Sequence, residues 1–505
     1  MQHSSIVQIT DEGPRRRLIT RGRVGLLLGP ALFALFYFIP GLTGLGDAPR
    51  AVLAVTLWVA TWWITEALPI PATSLTPLIL LPMTGGTDEA TASTAYANPI
   101  VFMYMGGFTI ALAIQKWNLH KRIAMTVIRM VGTRGHRIML GVILATAGLS
   151  MWISNAATAL MMLPIGLALI EEVKEKRFFT QEEDLRRFAK GLLLAIAYAA
   201  SIGGLATLIG SVPNAVFAAQ AEIHLGIRVS FAQWFVFAFP LTLLMLLFLY
   251  VYLSRVQFRI SEQPEVSSDF AAEQLRRLGA MSYEEKTVLA IFSVVGALWM
   301  TIGFIPEEWN VPLTDTTVSI FGAVSMFLLP AKQLQEIGEG EPRRGGILVW
   351  QDMKELPWGI LLLFGGGLSL AAAFEESGLT PWFGDQLGGL EVLPYAAIVV
   401  AIGFIVLFMT EIMSNTAVSN MLIPVSVGLA LGMGVDPFAI MAIVALTSSM
   451  AFMLPISTPP NAAVFSSDYL SIDDMIKAGF WMNVASLLLV SLFVLLWQPV
   501  VLASS

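Results

Sequence analysis

The hydrophobic pattern along this chain runs in long blocks, neither alternating residue by residue nor confined to one helical stripe. A helix that crosses a bilayer needs about 20 apolar residues. Blocks of that size, or close to it, lie at 24–41, 50–70, 72–84, 98–116, 191–219, 233–253, 287–304, 312–330, 358–376, 436–465 and 479–500. Two further apolar stretches, 138–170 and 394–433, turn polar at their centres, and each divides around a Ser-Asn pair. The pattern predicts an all-α polytopic membrane protein of about eleven transmembrane helices, with two re-entrant hairpins at the divided stretches.

Basic residues test the orientation, because segments that stay inside carry an excess of Lys and Arg. With the N-terminus inside, the inner segments hold Lys116, Lys121, Arg122, Arg129, Arg134 and Arg137, then Lys174, Lys176, Arg177, Arg186, Arg187 and Lys190. Arg255, Arg259, Arg276, Arg277 and Lys286 follow, and then Lys332, Arg343, Arg344 and Lys354. The outer loops 42–49, 84–97, 305–311 and 377–393 contain no Lys or Arg, and 220–232 holds only Arg228. This alternation brings the first hairpin in from the inner face and the second from the outer face.

The two halves repeat each other. Gly106-Gly107 recurs as Gly366-Gly367, Ser154-Asn155 as Ser414-Asn415, and Pro164 as Pro424, with one constant offset. Pro213-Asn214-Ala215 recurs as Pro460-Asn461-Ala462 after a slightly smaller one. A repeat entering from opposite faces is an inverted repeat, the device by which secondary transporters build two gates. The predicted organisation is a disordered cytoplasmic tail at 1–23 and a first repeat at 24–253, with hairpin 138–170 and an unwound helix at 191–219. A charged cytoplasmic connector at 254–286 leads to a second repeat at 287–505, with hairpin 394–433 and an unwound helix at 436–465.

Composition agrees with the pattern. Hydrophobic residues make up 56% of 505 and charged residues 13%, about half the ~25% charge of soluble proteins. Mean hydropathy is +0.74. A soluble enzyme, a nucleic-acid binder and a disordered chain are excluded. Cysteine is absent, which removes disulfides, thiolate metal sites and thiol nucleophiles. The four histidines, His3, His120, His136 and His224, are too scattered for a redox metal centre.

Chemistry concentrates at the paired motifs. One is Ser150-Met-Trp-Ile-Ser154-Asn155-Ala156-Ala-Thr158, matched by Thr410-Glu-Ile-Met-Ser414-Asn415-Thr416. Non-helical backbone at membrane depth is tolerated only when it lines a cavity or lies buried in protein. The arm after each Asn presents a helix N-terminus, so two such ends suit an anion with a carboxylate at each end. The alternative is that Ser and Asn serve as interhelical glue. The second pair runs from Ser201 through Thr207, Gly210, Ser211, Pro213 and Asn214, matched by Thr447-Ser448-Ser449 and Ser457-Thr458-Pro459-Pro460-Asn461. Pro and Gly there release carbonyls that suit a hard cation such as sodium; the alternative is a plain proline kink. No Lys or Arg falls within a predicted span near these motifs, so co-bound cations would neutralise a dianion. Among span acids, Glu411 is expected to brace the hairpin rather than carry a proton, and Glu66 is the other candidate.

At these residues the chain resembles the divalent anion:sodium symporter (DASS) family of di- and tricarboxylate transporters. The paired Ser-Asn-Thr motifs match Ser154-Asn155-Ala156 and Ser414-Asn415-Thr416. The Thr-Pro-Pro-Asn-type segments match Ser211-Val212-Pro213-Asn214 and Thr458-Pro459-Pro460-Asn461. Trp63-Ile-Thr-Glu66-Ala-Leu-Pro69 and the run from Gly106 to Arg122 add to the likeness, which covers about residues 24 to 500. The resemblance implies a homodimer in which an elevator-type transport domain carries the site across a static scaffold. Sodium would then be held by Ser150, Ser154, Asn155 and Gly210 at a first site, and by Thr410, Met413, Asn415 and Ser457 at a second. Substrate would meet Ser154, Asn155, Ser211, Ser414, Asn415, Thr416 and Thr458. Ala156 lacks the hydroxyl of the family's Thr, and Val212 stands in place of its first Pro.

The function expected from this is sodium-coupled symport of dicarboxylates of the succinate, malate or fumarate type. Sodium is the coupling ion, with no other cofactor and no nucleic-acid partner, in a multi-pass protein of a bacterial inner membrane. The rivals are a sodium-independent dicarboxylate exchanger and, from another class, an anion channel. A membrane enzyme is not expected, since neither Ser motif has a nearby His or Lys base.

Overall fold

The computed structural model describes residues 21–501, apart from 40, 42, 133–134, 178, 180, 261–268, 306–311, 336–343 and 388–393. Most of the expected tail at 1–23 therefore lies outside the described residues, but Arg21 to Arg23 already belong to α1 (Arg21–Phe38). α2 (Asp47–Thr65) ends where Glu66 turns left-handed, with φ 50°, and its N–H closes on Trp62 O. α3 (Pro99–Lys116) starts at Asn98, whose side chain accepts from Ile100 N.

The first hairpin is α4 (Gly135–Ser150) and α5 (Asn155–Glu175). It is followed by α6 (Glu182–Gly203), α7 (Val212–Leu225) and α8 (Phe231–Val251). α9 (Tyr283–Ile302) starts at a capping box. There Glu285 N donates to Ser282 Oγ at 3.1 Å while Ser282 N donates to the Glu285 carboxylate at 2.7 Å. Two first-turn N–H groups are thus satisfied reciprocally. α10 (Asp315–Leu328) and α11 (Trp358–Ser377) lead to the second hairpin, α12 (Tyr395–Thr410) and α13 (Asn415–Gly432). α14 (Pro437–Ser448), α15 (Pro459–Phe465) and α16 (Ile472–Leu496) complete the order.

Among the described residues, nine helices are long and apolar enough to cross a membrane, α5 and α13 among them. The block at 72–84 holds a shorter apolar helix within Ile70–Thr84, and 312–330 holds the equally short α10. The blocks at 191–219 and 436–465 are each interrupted: α6 gives way to an irregular segment before α7, and α14 to another before α15.

These two divided helices form the centre of the molecule. From Gly191 to Gly203 every residue of α6 is buried, as is every residue of α14 from Phe438 to Ser448. Lipid is as apolar as leucine, so burial between helices rests on close packing and polar contacts rather than on exclusion of water. Gly203 shows the closeness: a Cβ there would lie 2.5 Å from Ala147 O of α4. A second apolar cluster joins Val52, Val55 and Trp63 of α2 to Leu370 and Phe374 of α11 and Ala417 of α13. The periphery presents Leu243, Leu244 and Leu247 of α8 and Leu488, Leu492 and Leu496 of α16, as expected of lipid-facing surfaces.

Candidate functional site

The chain between Ser150 and Asn155 is non-helical, and Ser154 caps α5 by accepting from Ala157 N at 3.4 Å. Behind this tip Ser150, fully buried, donates to Ala200 O at 2.6 Å and lies 2.7 Å from the Asn155 amide. In the second hairpin Thr410, also fully buried, donates to Ser448 O at 2.6 Å and lies 2.7 Å from the Asn415 amide. The two tips are thus built alike: a hydroxyl ties each Asn to the last turn of a divided helix.

The neighbours of the Asn155 amide fix its orientation. With its nitrogen turned inward it donates to Ser150 Oγ at 2.7 Å, Ala200 O at 3.0 Å and Gly210 O at 3.2 Å. Ser150 Oγ, Ala200 O and Gly210 O thus gather around one side-chain position, an all-oxygen set of the kind that suits a hard cation. This oxygen-only chemistry fits sodium.

The irregular segments are held from within. Asn214, fully buried, donates to Gly204 O at 3.0 Å, Leu205 O at 3.2 Å and Thr207 O at 2.7 Å. Asn461, its partner in the repeat, donates to Ala451 O and Leu454 O, both at 3.1 Å. Each side-chain amide replaces the helical N–H donors that the break removes. The Tyr104 hydroxyl adds a tie to Leu208 O and to Ser211 O, the latter at 2.8 Å. Ser211 Oγ and Ser449 Oγ lie 2.9 Å apart and join the two segments.

One brace is not symmetric. The Glu411 carboxylate, 4% exposed, accepts from Phe452 N at 2.8 Å, Met453 N at 3.0 Å and Leu454 N at 3.2 Å. It also accepts from Ser457 Oγ at 2.5 Å and Asn483 Nδ2 at 2.7 Å. Glu411 thus holds the second irregular segment in place. The matching position in the first tip is Met151, whose carbonyl accepts from the Thr207 hydroxyl.

Both tips and both segments open onto one cavity of about 1040 Å³. Its walls include Ser154, Asn155, Gly210, Ser211, Met413, Ser414, Asn415, Thr416, Ser457 and Thr458. Of the residues expected to hold sodium or substrate, Ser150 and Thr410 are the two that stand behind the wall. Ala156 and Val212, the two departures from the family motifs, also face the cavity. Thr458 caps α15, accepting from Asn461 N at 3.3 Å, whereas Ser414 makes no cap bond.

The structure adds a cation that the hydropathy pattern does not mark. Arg21 lines the cavity, as do Glu66 and Pro357. Its guanidinium donates to Ile64 O at 2.5 Å and to Ile412 O at 3.3 and 3.4 Å. Arg21 lies just before the first apolar block, where the sequence pattern shows only a basic flank. Nothing local marks it as reaching the second hairpin.

Residues 22–503 match the family model described as the sodium:sulfate symporter transmembrane region. A sodium-dependent dicarboxylate transporter, SdcS, of Staphylococcus saprophyticus is 42% identical over 483 residues, covering 95% of this chain and 92% of that protein. SdcS of Staphylococcus aureus strain USA300 is 40% identical over 517 residues, covering 99% and 97%. Two solved structures share the fold alone. The YdaH transporter of Alcanivorax borkumensis has a TM-score of 0.54 at 13% identity, covering 88% of this chain and 98% of that one. MtrF of Neisseria gonorrhoeae has 0.52 at 11%, covering 95% and 96%. With its motifs gathered in one cavity and the match running almost end to end, the chain belongs to the sodium:sulfate symporter family, the divalent anion:sodium symporters.

Proposed function

We propose that this protein is a sodium-coupled symporter of C4-type dicarboxylates. One observation carries the reading: two Ser-Asn helix ends and two interrupted helices, one of each from either repeat, meet on a single cavity. Each helix N-terminus offers roughly half a positive charge and free N–H groups, so the pair suits a dianion. Released carbonyls and hydroxyls beside each Asn suit sodium, whose charge offsets that of the substrate in a setting where an isolated ion is costly. The names of the similar staphylococcal proteins, sodium-dependent dicarboxylate transporters, support the same assignment.

In this reading Ser150, Ser154, Asn155 and Gly210 hold one sodium ion, and Thr410, Met413, Asn415 and Ser457 hold another. Ser154, Asn155, Ser211, Ser414, Asn415, Thr416 and Thr458 meet the substrate. The protein works as a homodimer in a bacterial inner membrane with its N-terminus in the cytoplasm. Its hairpins and divided helices move as an elevator past α1, α2 and their neighbours. The basic inner segments support that orientation, and an opening of the cavity to the cytoplasm fits it, since the lining residues Arg21 and Pro357 begin α1 and precede α11.

Succinate uptake into proteoliposomes, driven by a sodium gradient and compared with choline, tests this. Uptake should saturate, should run uphill and should need sodium. Undiminished flux in choline would replace symport with exchange, and non-saturating downhill flux would indicate a channel.

A further inference from the structure

We propose that Arg21 is a positioning residue for transport, a tie that holds the tip of the second hairpin in the inward-open arrangement. The inference rests on the elevator reading above. Its basis is a bridge between elements distant in sequence: one guanidinium, at the first residue of α1, donates both to Ile64 O in the last turn of α2 and to Ile412 O in the tip between α12 and α13.

The last carbonyls of a helix lack intrahelical partners and carry its partial negative charge. Ile64 O belongs to the last turn of α2, and Ile412 O lies in the turn just past the end of α12 at Thr410, so one helix end and the hairpin tip converge on one cation. A guanidinium presents several donors in a fixed fork and can serve both at once, whereas an ammonium is a point charge. Ile412 lies only two residues before Ser414, so the tie acts directly on the tip that carries the substrate-facing helix end. When the tip travels to the other face, α1 and α2 stay behind and these bonds must break. Arg21 therefore weights the balance toward the inward-open state.

The absence of cysteine from the sequence provides a clean reporter. Ile456, 74% exposed on the cavity wall, is replaced by Cys, and a membrane-impermeant maleimide is applied from either face of the membrane. In the otherwise unchanged chain, labelling should move between faces as sodium and succinate are varied. Arg21→Ala should lower the inside-to-outside labelling ratio about fivefold, the scale of one exposed charge-assisted contact. Arg21→Lys should fall between the two, and Arg23→Ala, which removes an equal basic charge two residues along, should leave the ratio unchanged.

An unaltered ratio in both Arg21→Ala and Arg21→Gln overturns the tie, as does an equal shift in Arg23→Ala, which would reflect basic charge alone. If Arg21→Ala fails to insert, Arg21→Gln and Arg21→Lys carry the same comparison. A reporter that reacts from one face only under every sodium and succinate condition would instead defeat the elevator reading itself.

Discussion

The two halves of the site share one plan and differ most in one brace. In the first, the Thr207 hydroxyl spans to Met151 O and accepts from Gly210 N at 3.0 Å. In the second, the buried Glu411 carboxylate gathers three backbone N–H groups, a serine and an asparagine. A neutral hydroxyl contributes a modest net stabilisation, while stranding several buried donors costs much more. The lesson is that a repeat can keep its geometry while concentrating rigidity in one copy. The tips, which line the cavity, keep the same hydroxyl-to-asparagine tie; the support behind them differs.

The largest test removes the stronger brace. Glu411→Ala should lower stability by at least about 3 kcal/mol, since each stranded buried donor costs roughly 1–3 kcal/mol before relaxation. Thermal melting of the purified protein reads this directly, and a melting temperature near that of the parent would show the segment holds itself. Next come the paired tips: Asn155→Ala and Asn415→Ala should each cut sodium-driven uptake at least about 100-fold, equivalent to ~2.7 kcal/mol of barrier. The folded protein should persist in both, and near-normal uptake in either would remove that copy from the site.

Thr207→Val probes the weaker brace and should cost about 1–2 kcal/mol in the same melting assay. A loss matching that of Glu411→Ala would erase the asymmetry. The smallest effect belongs to Ala156→Thr, which restores to the first tip the hydroxyl present at Thr416 in the second. One added donor on the cavity wall should change the preference between succinate and sulfate by about 1 kcal/mol, or roughly fivefold. Competition of each anion against labelled succinate measures it, and an unchanged ratio would place residue 156 outside the selectivity of the site.

Much of the site was legible because its grammar is local. Ser-Asn within an apolar stretch is a helix break followed by a new helix start, and both tips read as such without knowledge of their neighbours. Pro-Asn likewise marks each interrupted helix, after a glycine-containing run in the first copy and a run of Ser, Thr and Pro in the second. Hydropathy blurs these breaks, because the irregular segments at 204–211 and 449–458 remain as apolar as the helices beside them. What restores their lost hydrogen bonds is a buried amide, Asn214 or Asn461, and its acceptors are known only once the segment has folded around it.

Other partnerships were out of reach of any pattern. Glu411 was expected to brace its own hairpin, but it braces the segment after α14 and reaches Asn483 of α16. Tyr104 to Ser211 O, Ser211 to Ser449 and Arg21 to Ile412 O join residues far apart in sequence.

The amino-acid sequence alone determined the solvent of this protein, the course of its apolar blocks, the repeat and the four motifs. Each of these depends on composition or on neighbours a few residues away. Tertiary structure alone decided which motif faces which, which acid holds which loop and which basic residue reaches the cavity. The physical reason is that buried polar groups must find partners wherever packing brings them, and in a membrane interior there is no water to serve instead.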